Sequence, residues 1–139
     1  MKDSSCIFCK IANGEIPTNT LYEDEYFRVI FDLSPASKGH ALILPKEHYR
    51  GVFELGDEEA GRLFVVAKKV ATALKELTDC EGFNILQNNE EIAGQTVFHF
   101  HTHLIPRYSG DGMKITWNHG NPSDDELKEM AIKIKQILG

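Results

Sequence analysis

The stretch "TVFHFHTHLIP", Thr96 to Pro106, constrains the fold more than any other part of the chain. Histidine falls at every second residue, as His99, His101 and His103. Side chains alternate between the two faces of an extended strand. The pattern therefore predicts a β-strand with the three imidazoles beside Val97 and Ile105, and with Phe98, Phe100, Thr102 and Leu104 on the opposite face. The second face suits a core, while the first must meet something polar. Residues 99 and 103 stand roughly 13 Å apart along a strand, and a zinc–nitrogen bond is about 2 Å. The outer two rings therefore do not share one ion. Two adjacent rings and a ligand from elsewhere could do so, but a row of rings along an extended substrate suits the spacing better.

The rest of the chain supplies partners for such a strand. "TLYEDEYFRVIFDL" predicts two β segments around the turn-prone "EDE", "SPASKG" is turn material, and "HALILPK" predicts a buried strand stopped by Pro45. From Asp57 to Leu77 the period changes. Ala60, Leu63, Val66, Ala67, Val70, Leu74 and Leu77 mark one face of a long helix, with Asp57, Glu58 and Glu59 at its electropositive start. "GFNILQNN" predicts a strand and "EEIAGQ" a loop. Cys6 to Asn13 predicts a helical turn ended by Gly14 and Pro17. Ser123 and Glu126 form a capping-box pattern before the stripe Leu127, Met130, Ala131, Ile134 and Ile137. Strands joined by short turns, with one long helix between strand groups, give an α+β expectation: an antiparallel sheet with helices on one face. At 139 residues the chain has the length of one domain.

Charge narrows the ligand. With 15 basic and 21 acidic residues the net charge is −6, which opposes the broad basic surface that nucleic acid requires. A phosphorylated ligand would have to be small and held by a local cluster of donors. No apolar run reaches membrane-spanning length, and "MKDSSCIFCKIANGEIP" lacks a secretory hydrophobic segment. Three cysteines do not make a disulfide framework, so a reducing, cytoplasmic setting is expected. Cys6-Ile7-Phe8-Cys9 has the spacing at which two thiolates grip one ion. A redox pair is the competing reading, and no thioredoxin-like βαβ unit accompanies it. Asp32 offers an acceptor-only carboxylate suited to paired hydroxyls, or it simply opens the "DLSPAS" turn. His40 is expected only to end a turn.

The segment "HFHTHLI", His99 to Ile105, matches the His-x-His-x-His-x-x signature of the histidine triad (HIT) family of nucleotide hydrolases and transferases. Thr102 fills a slot that is usually more hydrophobic. "FDLSPASKGHALILPKEH" and "NNEEIAGQTVFH" resemble further family segments, and "CIFCKIANGEIP" with "YEDE" resembles the opening of the zinc-containing branch related to the Hint proteins. The likeness spans residues 6 to 108, and the extension from Ser109 to Gly139 matches no family motif.

The resemblance implies a HIT-like fold and a homodimer joined through its sheets. It also implies attack by His101 on the α-phosphate of a purine nucleotide, giving a covalent nucleotidyl-histidine that water resolves. The His99 carbonyl would hold the attacking ring, His103 and Thr96 would assist the leaving group, and Gln95 would donate nearby. Asn88 (or its neighbour Asn89) and Gly94 would approach the phosphate, Asp32 the ribose, and Ile30 and Leu33 the base. Cys6, Cys9, His48 and His99 would bind a structural zinc. A nucleoside phosphoramidate or aminoacyl-adenylate is the implied substrate. A dinucleoside polyphosphate is the runner-up, because "AGQTV" also resembles the Fhit-type branch. Two other classes compete: a zinc hydrolase that activates water, and a noncatalytic nucleotide-binding module.

Overall fold

The computed structural model describes residues 1–139. After a short helix α1 (Ile7–Ala12) come strands β1 (Thr20–Glu23), β2 (Phe27–Phe31) and β3 (Ala41–Pro45), then the long helix α2 (Asp57–Thr78). Strand β4 (Gly82–Gln87), a 3₁₀ turn (Glu91–Ala93), strand β5 (Thr102–Arg107) and helix α3 (Asp124–Leu138) complete the chain. The five strands form one sheet in the order β1-β2-β3-β5-β4, and every pairing is antiparallel.

Alternation sorts each strand between two apolar layers. Phe27 and Val29 of β2, Ala41 and Ile43 of β3, and Leu104 of β5 face α2, where Leu63, Val66, Ala67, Val70 and Leu74 cover them. Ile30, Leu42 and Leu44 point the other way and are covered by Ile11 and Ala12 of α1. The helices therefore lie on both faces of the sheet, not on one as expected. All five residues of β3 are buried, which is what a continuous apolar run such as "ALILP" requires when both faces are covered.

Helix α2 starts at the three acidic residues, as the dipole argument expects, and ends at Asp79, whose φ of 55° is left-handed. Its buried stripe is narrower than the apolar pattern. Ala60 is exposed and Leu77 is 79% exposed, whereas Glu59 is buried and accepts a hydrogen bond from the Tyr49 hydroxyl at 3.0 Å. The capping box at Ser123 and Glu126 forms. Yet α3 buries none of its residues, so the stripe expected to pack lies open, with Leu127 50% and Met130 58% exposed.

The expected strand from Thr96 to Pro106 is shorter than its alternation suggests. Ladder pairing begins at Thr102, and residues 97–99 form a bend. Phe100 and Leu104 still reach the core, but Phe98 is 37% exposed beneath the Arg50 guanidinium. Before the ladder begins, pairing with β3 cannot fix which way a side chain points. The single backbone bond from Phe100 N–H to the Tyr49 carbonyl, 2.6 Å, takes its place.

Candidate active site

A cavity of about 530 Å³ opens between α1, the β2–β3 region and the start of β5, within the size range of small-molecule sites. Phe8, Ile11, Ile30 and Leu42 give it an apolar wall, and Leu33 stands at the rim, 89% exposed. The polar side is made by Asp32, Thr96, His101 and His103. Two of the three alternating histidines therefore line the cavity. The third does not: His99 is fully buried with its ring turned to the cysteines, so the three rings do not form one row.

His101 is 6% exposed, and its Nδ1 lies 2.7 Å from the His99 carbonyl oxygen. A carbonyl only accepts, so Nδ1 carries the hydrogen and donates, and the neutral ring keeps its lone pair on Nε2. Burial pushes its pKa below the usual histidine value, against smaller opposing effects of that hydrogen bond and of Asp32. Phe8 meets the ring edge-on, with centroids 5.1 Å apart. The His103 ring lies 5.0 Å from that of His101, and its pKa is lowered to about 4 by burial and by the adjacent His101 and His40.

Asp32 accepts from the Ser34 N–H through Oδ1 at 2.8 Å, while its Oδ2 lies 3.6 Å from His40 Nε2. His40 does more than end a turn. It is 5% exposed, with Nε2 2.9 Å from His103 Nδ1 and Nδ1 2.9 Å from the Ala36 N–H. Besides Ile11 and Leu42 of the apolar wall, the sequence reading did not anticipate Phe8 and His40. Both sit inside motifs it had noted for other reasons: the cysteine pair, and the turn before β3.

The loop between β4 and β5 differs from expectation. Gln95 is 2% exposed and does not line the cavity. Its oxygen accepts from Glu90 N–H at 2.8 Å, and its nitrogen donates to the carbonyls of Arg50 and Val97 at 2.8 and 3.1 Å. With both ends of the amide engaged, Gln95 pins the loop and is not available as a donor to a ligand. Thr96, the next residue, does reach the cavity wall. Gly94 turns with a φ of +99°, a conformation natural to glycine, and neither it nor Asn88 lines the cavity. The ambiguity between Asn88 and Asn89 narrows. The Asn89 oxygen is taken by the N–H of Val52 at 2.7 Å and by Gln87, whereas the Asn88 carboxamide lies against Gly94.

Behind the cavity, Cys6, Cys9, His48 and His99 bring four candidate ligand atoms within 4.8 Å of one another. His99 Nδ1 lies 3.4 Å from both sulfurs, and His48 Nδ1 lies 3.4 Å from Cys9 Sγ. A tetrahedron with the usual zinc–sulfur and zinc–nitrogen bonds has an S···N edge of roughly 3.5 Å, so these residues fit the ion. His99 Nε2 is 2.9 Å from the Pro45 carbonyl and donates to it, which turns the Nδ1 lone pair toward the thiols. Burial lowers the His99 pKa to about 4, the neutral state a ligand needs, and raises that of the Cys9 thiol.

A family model described as "HIT domain" matches residues 13–110. An uncharacterized HIT-like protein of Methanocaldococcus jannaschii is 44% identical over 130 residues, covering 94% of this chain and 98% of its own. An adenosine 5'-monophosphoramidase of Schizosaccharomyces pombe is 41% identical, with 96% and 98% covered. An adenylylsulfatase of Arabidopsis thaliana is 40% identical, with 97% and 70% covered. Among solved structures, a Streptococcus mutans protein superposes with a TM-score of 0.93 at 42% identity, covering 99% of this chain and 88% of that one. A zinc-bound histidine triad family protein of Mycobacterium smegmatis gives a TM-score of 0.73 at 33% identity, covering 96% and 97%.

Proposed function

The chain belongs to the HIT domain family, and from that premise we propose that it hydrolyses purine nucleotides at the α-phosphate through a covalent intermediate on His101. A nucleoside phosphoramidate or aminoacyl-adenylate is the favoured substrate. One observation carries the reading: the 2.7 Å bond from His101 Nδ1–H to the His99 carbonyl leaves a neutral Nε2 lone pair on a ring that lines the cavity. A neutral imidazole needs no separate base to become a nucleophile. In the first step that lone pair bonds to phosphorus as the bond to the leaving group breaks, and the departing group takes the electron pair and, where it is an amine, a proton from solvent. Water then displaces His101. One water is consumed overall, its hydroxyl ending on phosphorus and its proton replacing the one taken up in the first step.

The other residues divide the work. His103 and Thr96 face the departing atom, the Asp32 carboxylate faces the ribose hydroxyls, and Ile30 and Leu33 hold the base. His99 acts through its carbonyl. Asn88 and Gly94 are assigned to the phosphate end of the site, although neither lines the cavity. The two relatives named for an activity support this reading, since both names denote an adenylyl compound and differ in the leaving group, an amine or sulfate. Cys6, Cys9, His48 and His99 would hold a zinc ion. With all four positions filled by protein, the ion would fix the N-terminal segment and supply no open site for water.

What a single copy leaves open supports a homodimer. Strand β4 ends the sheet with an unpaired edge, Ile85 is 42% exposed beside it, and the α3 stripe is uncovered. No helix is long and apolar enough to cross a membrane.

The test is to mix the protein with adenosine 5′-phosphoramidate and look for nucleotide bound covalently to it. An acid-labile adduct that is absent in His101→Ala supports the reading. Turnover without an adduct, abolished by a chelator that leaves the fold intact, would replace it with a zinc hydrolase. Nucleotide binding without turnover would leave a binding module. An adduct formed far faster from dinucleoside polyphosphates would favour that substrate class. Light scattering reads the dimer directly.

A further inference from the structure

We propose that His40 is a positioning residue that fixes the tautomer of His103 and thereby aims an N–H at the leaving group. The proposal rests on the nucleotidyl-transfer reading above. Its origin is a backbone amide. The Ala36 N–H can only donate, and it lies 2.9 Å from His40 Nδ1. That nitrogen must therefore be bare, and the hydrogen of a neutral His40 ring sits on Nε2. His40 Nε2 is in turn 2.9 Å from His103 Nδ1. It donates there, so His103 Nδ1 is the acceptor and the hydrogen of His103 lies on Nε2.

The opposite polarity would place two N–H groups face to face at Ala36, and so would a doubly protonated His40. Burial also favours the neutral form of both rings. Asp32 Oδ2, at 3.6 Å from His40 Nε2, stands outside hydrogen-bond range and does not compete for the hydrogen. Asp32, His40 and His103 also bring three metal-ligand atoms within 4.8 Å. A metal there would need the His40 Nε2 lone pair, and that nitrogen carries the hydrogen instead.

The consequence is a division of labour between two rings 5.0 Å apart. His101 has Nδ1 against a carbonyl, so its Nε2 is a lone pair that can attack. His103 has Nδ1 against a donor, so its Nε2 is an N–H that can stabilise charge on a departing atom. The same side chain, two residues further on, is set to the opposite function by what its Nδ1 meets. His103 acts here as a hydrogen-bond donor, and His40 transfers no proton.

The first test needs no variant. Long-range nitrogen–proton NMR correlations near neutral pH distinguish the two tautomers of a neutral imidazole. The expected pattern for His103 is a protonated Nε2 and a bare Nδ1, and the reverse pattern overturns the proposal. The second test compares two substrates that share the adenylyl group, one leaving as a basic alkylamine and one as p-nitrophenolate. In His40→Leu, the rate of adduct formation should fall about 100-fold with the amine, the usual cost of losing one such donor, and far less with the nitrophenolate. In His40→Gln, whose amide can still donate to His103 Nδ1, at least about tenfold of the loss should return. Equal losses on both substrates, or no rescue by glutamine, would show a structural role only. If wild type forms no adduct on either substrate, the nucleotidyl-transfer reading fails, while the NMR pattern still judges the tautomer.

Discussion

Acid should weaken the fold through His103, and its surroundings set the size of the effect. The half-buried ring has its pKa lowered from 6.5 to about 4, first by burial and then by the rings of His101 and His40, with Asp32 opposing. A folded-state value below the unfolded one means that the unfolded chain takes up the proton first as the pH falls. The contribution of the neutral ring is therefore complete above about pH 6.5 and is lost progressively down to about pH 4. For one such group, linkage gives a loss of about 2 kcal/mol between about pH 7 and pH 5. That corresponds to roughly 7 °C in Tm for a domain of this length. The assay is urea unfolding of wild type and His103→Asn across that interval. Wild type should lose about 2 kcal/mol more than the variant on acidification. Taking the difference removes the groups that do not touch His103, including His99 and any ion it holds. Parallel stability curves would refute the reasoning, because they would mean the ring takes its proton as readily when folded as when unfolded.

Two further substitutions probe features that activity alone would not separate. The Thr102 hydroxyl is buried without a hydrogen-bond partner, and the residue is 2% exposed. Thr102→Val keeps the shape and removes the orphan, so it should stabilise the protein by about 1 kcal/mol in urea unfolding; a loss of stability would mean that the hydroxyl is satisfied. Purified protein should carry one zinc per chain by elemental analysis, and Cys9→Ser should lose it together with several degrees of Tm. A metal-free wild type of normal stability would end the zinc reading.

The sequence made the sheet legible where one signal acted alone. The alternation of Phe27, Val29, Ala41, Ile43 and Leu104 put those residues in one layer, and the acidic start of α2 marked its first turn. It misled where a second constraint intervened. Phe98 follows the period of a strand, but the chain there is held by Gln95 and Tyr49 and not by a ladder, so its side chain ends half in solvent. Gln95 looked like a ligand donor because a polar side chain in a glycine loop can point either way. Its three bonds to backbone groups from residues 50, 90 and 97 exist only in three dimensions. His40 was passed over for the same reason. A histidine after a glycine reads as a turn residue, and its partner His103 lies 63 positions away.

The N-terminal segment belongs to the site even though it lies before the span matched by the family model. That match begins at residue 13, yet Cys6 and Cys9 approach the His99 ring and Phe8 packs against both His99 and His101. His99 is held on two sides, by the thiols at Nδ1 and by the Pro45 carbonyl at Nε2. A residue fixed at its ring has little freedom left at its backbone, and its carbonyl is what orients His101. Anchoring at the cysteines is thereby carried along one residue to the carbonyl that orients the His101 ring. The matched span from residue 13 contains all three histidines of the motif but not the cysteines that hold the ring of the first.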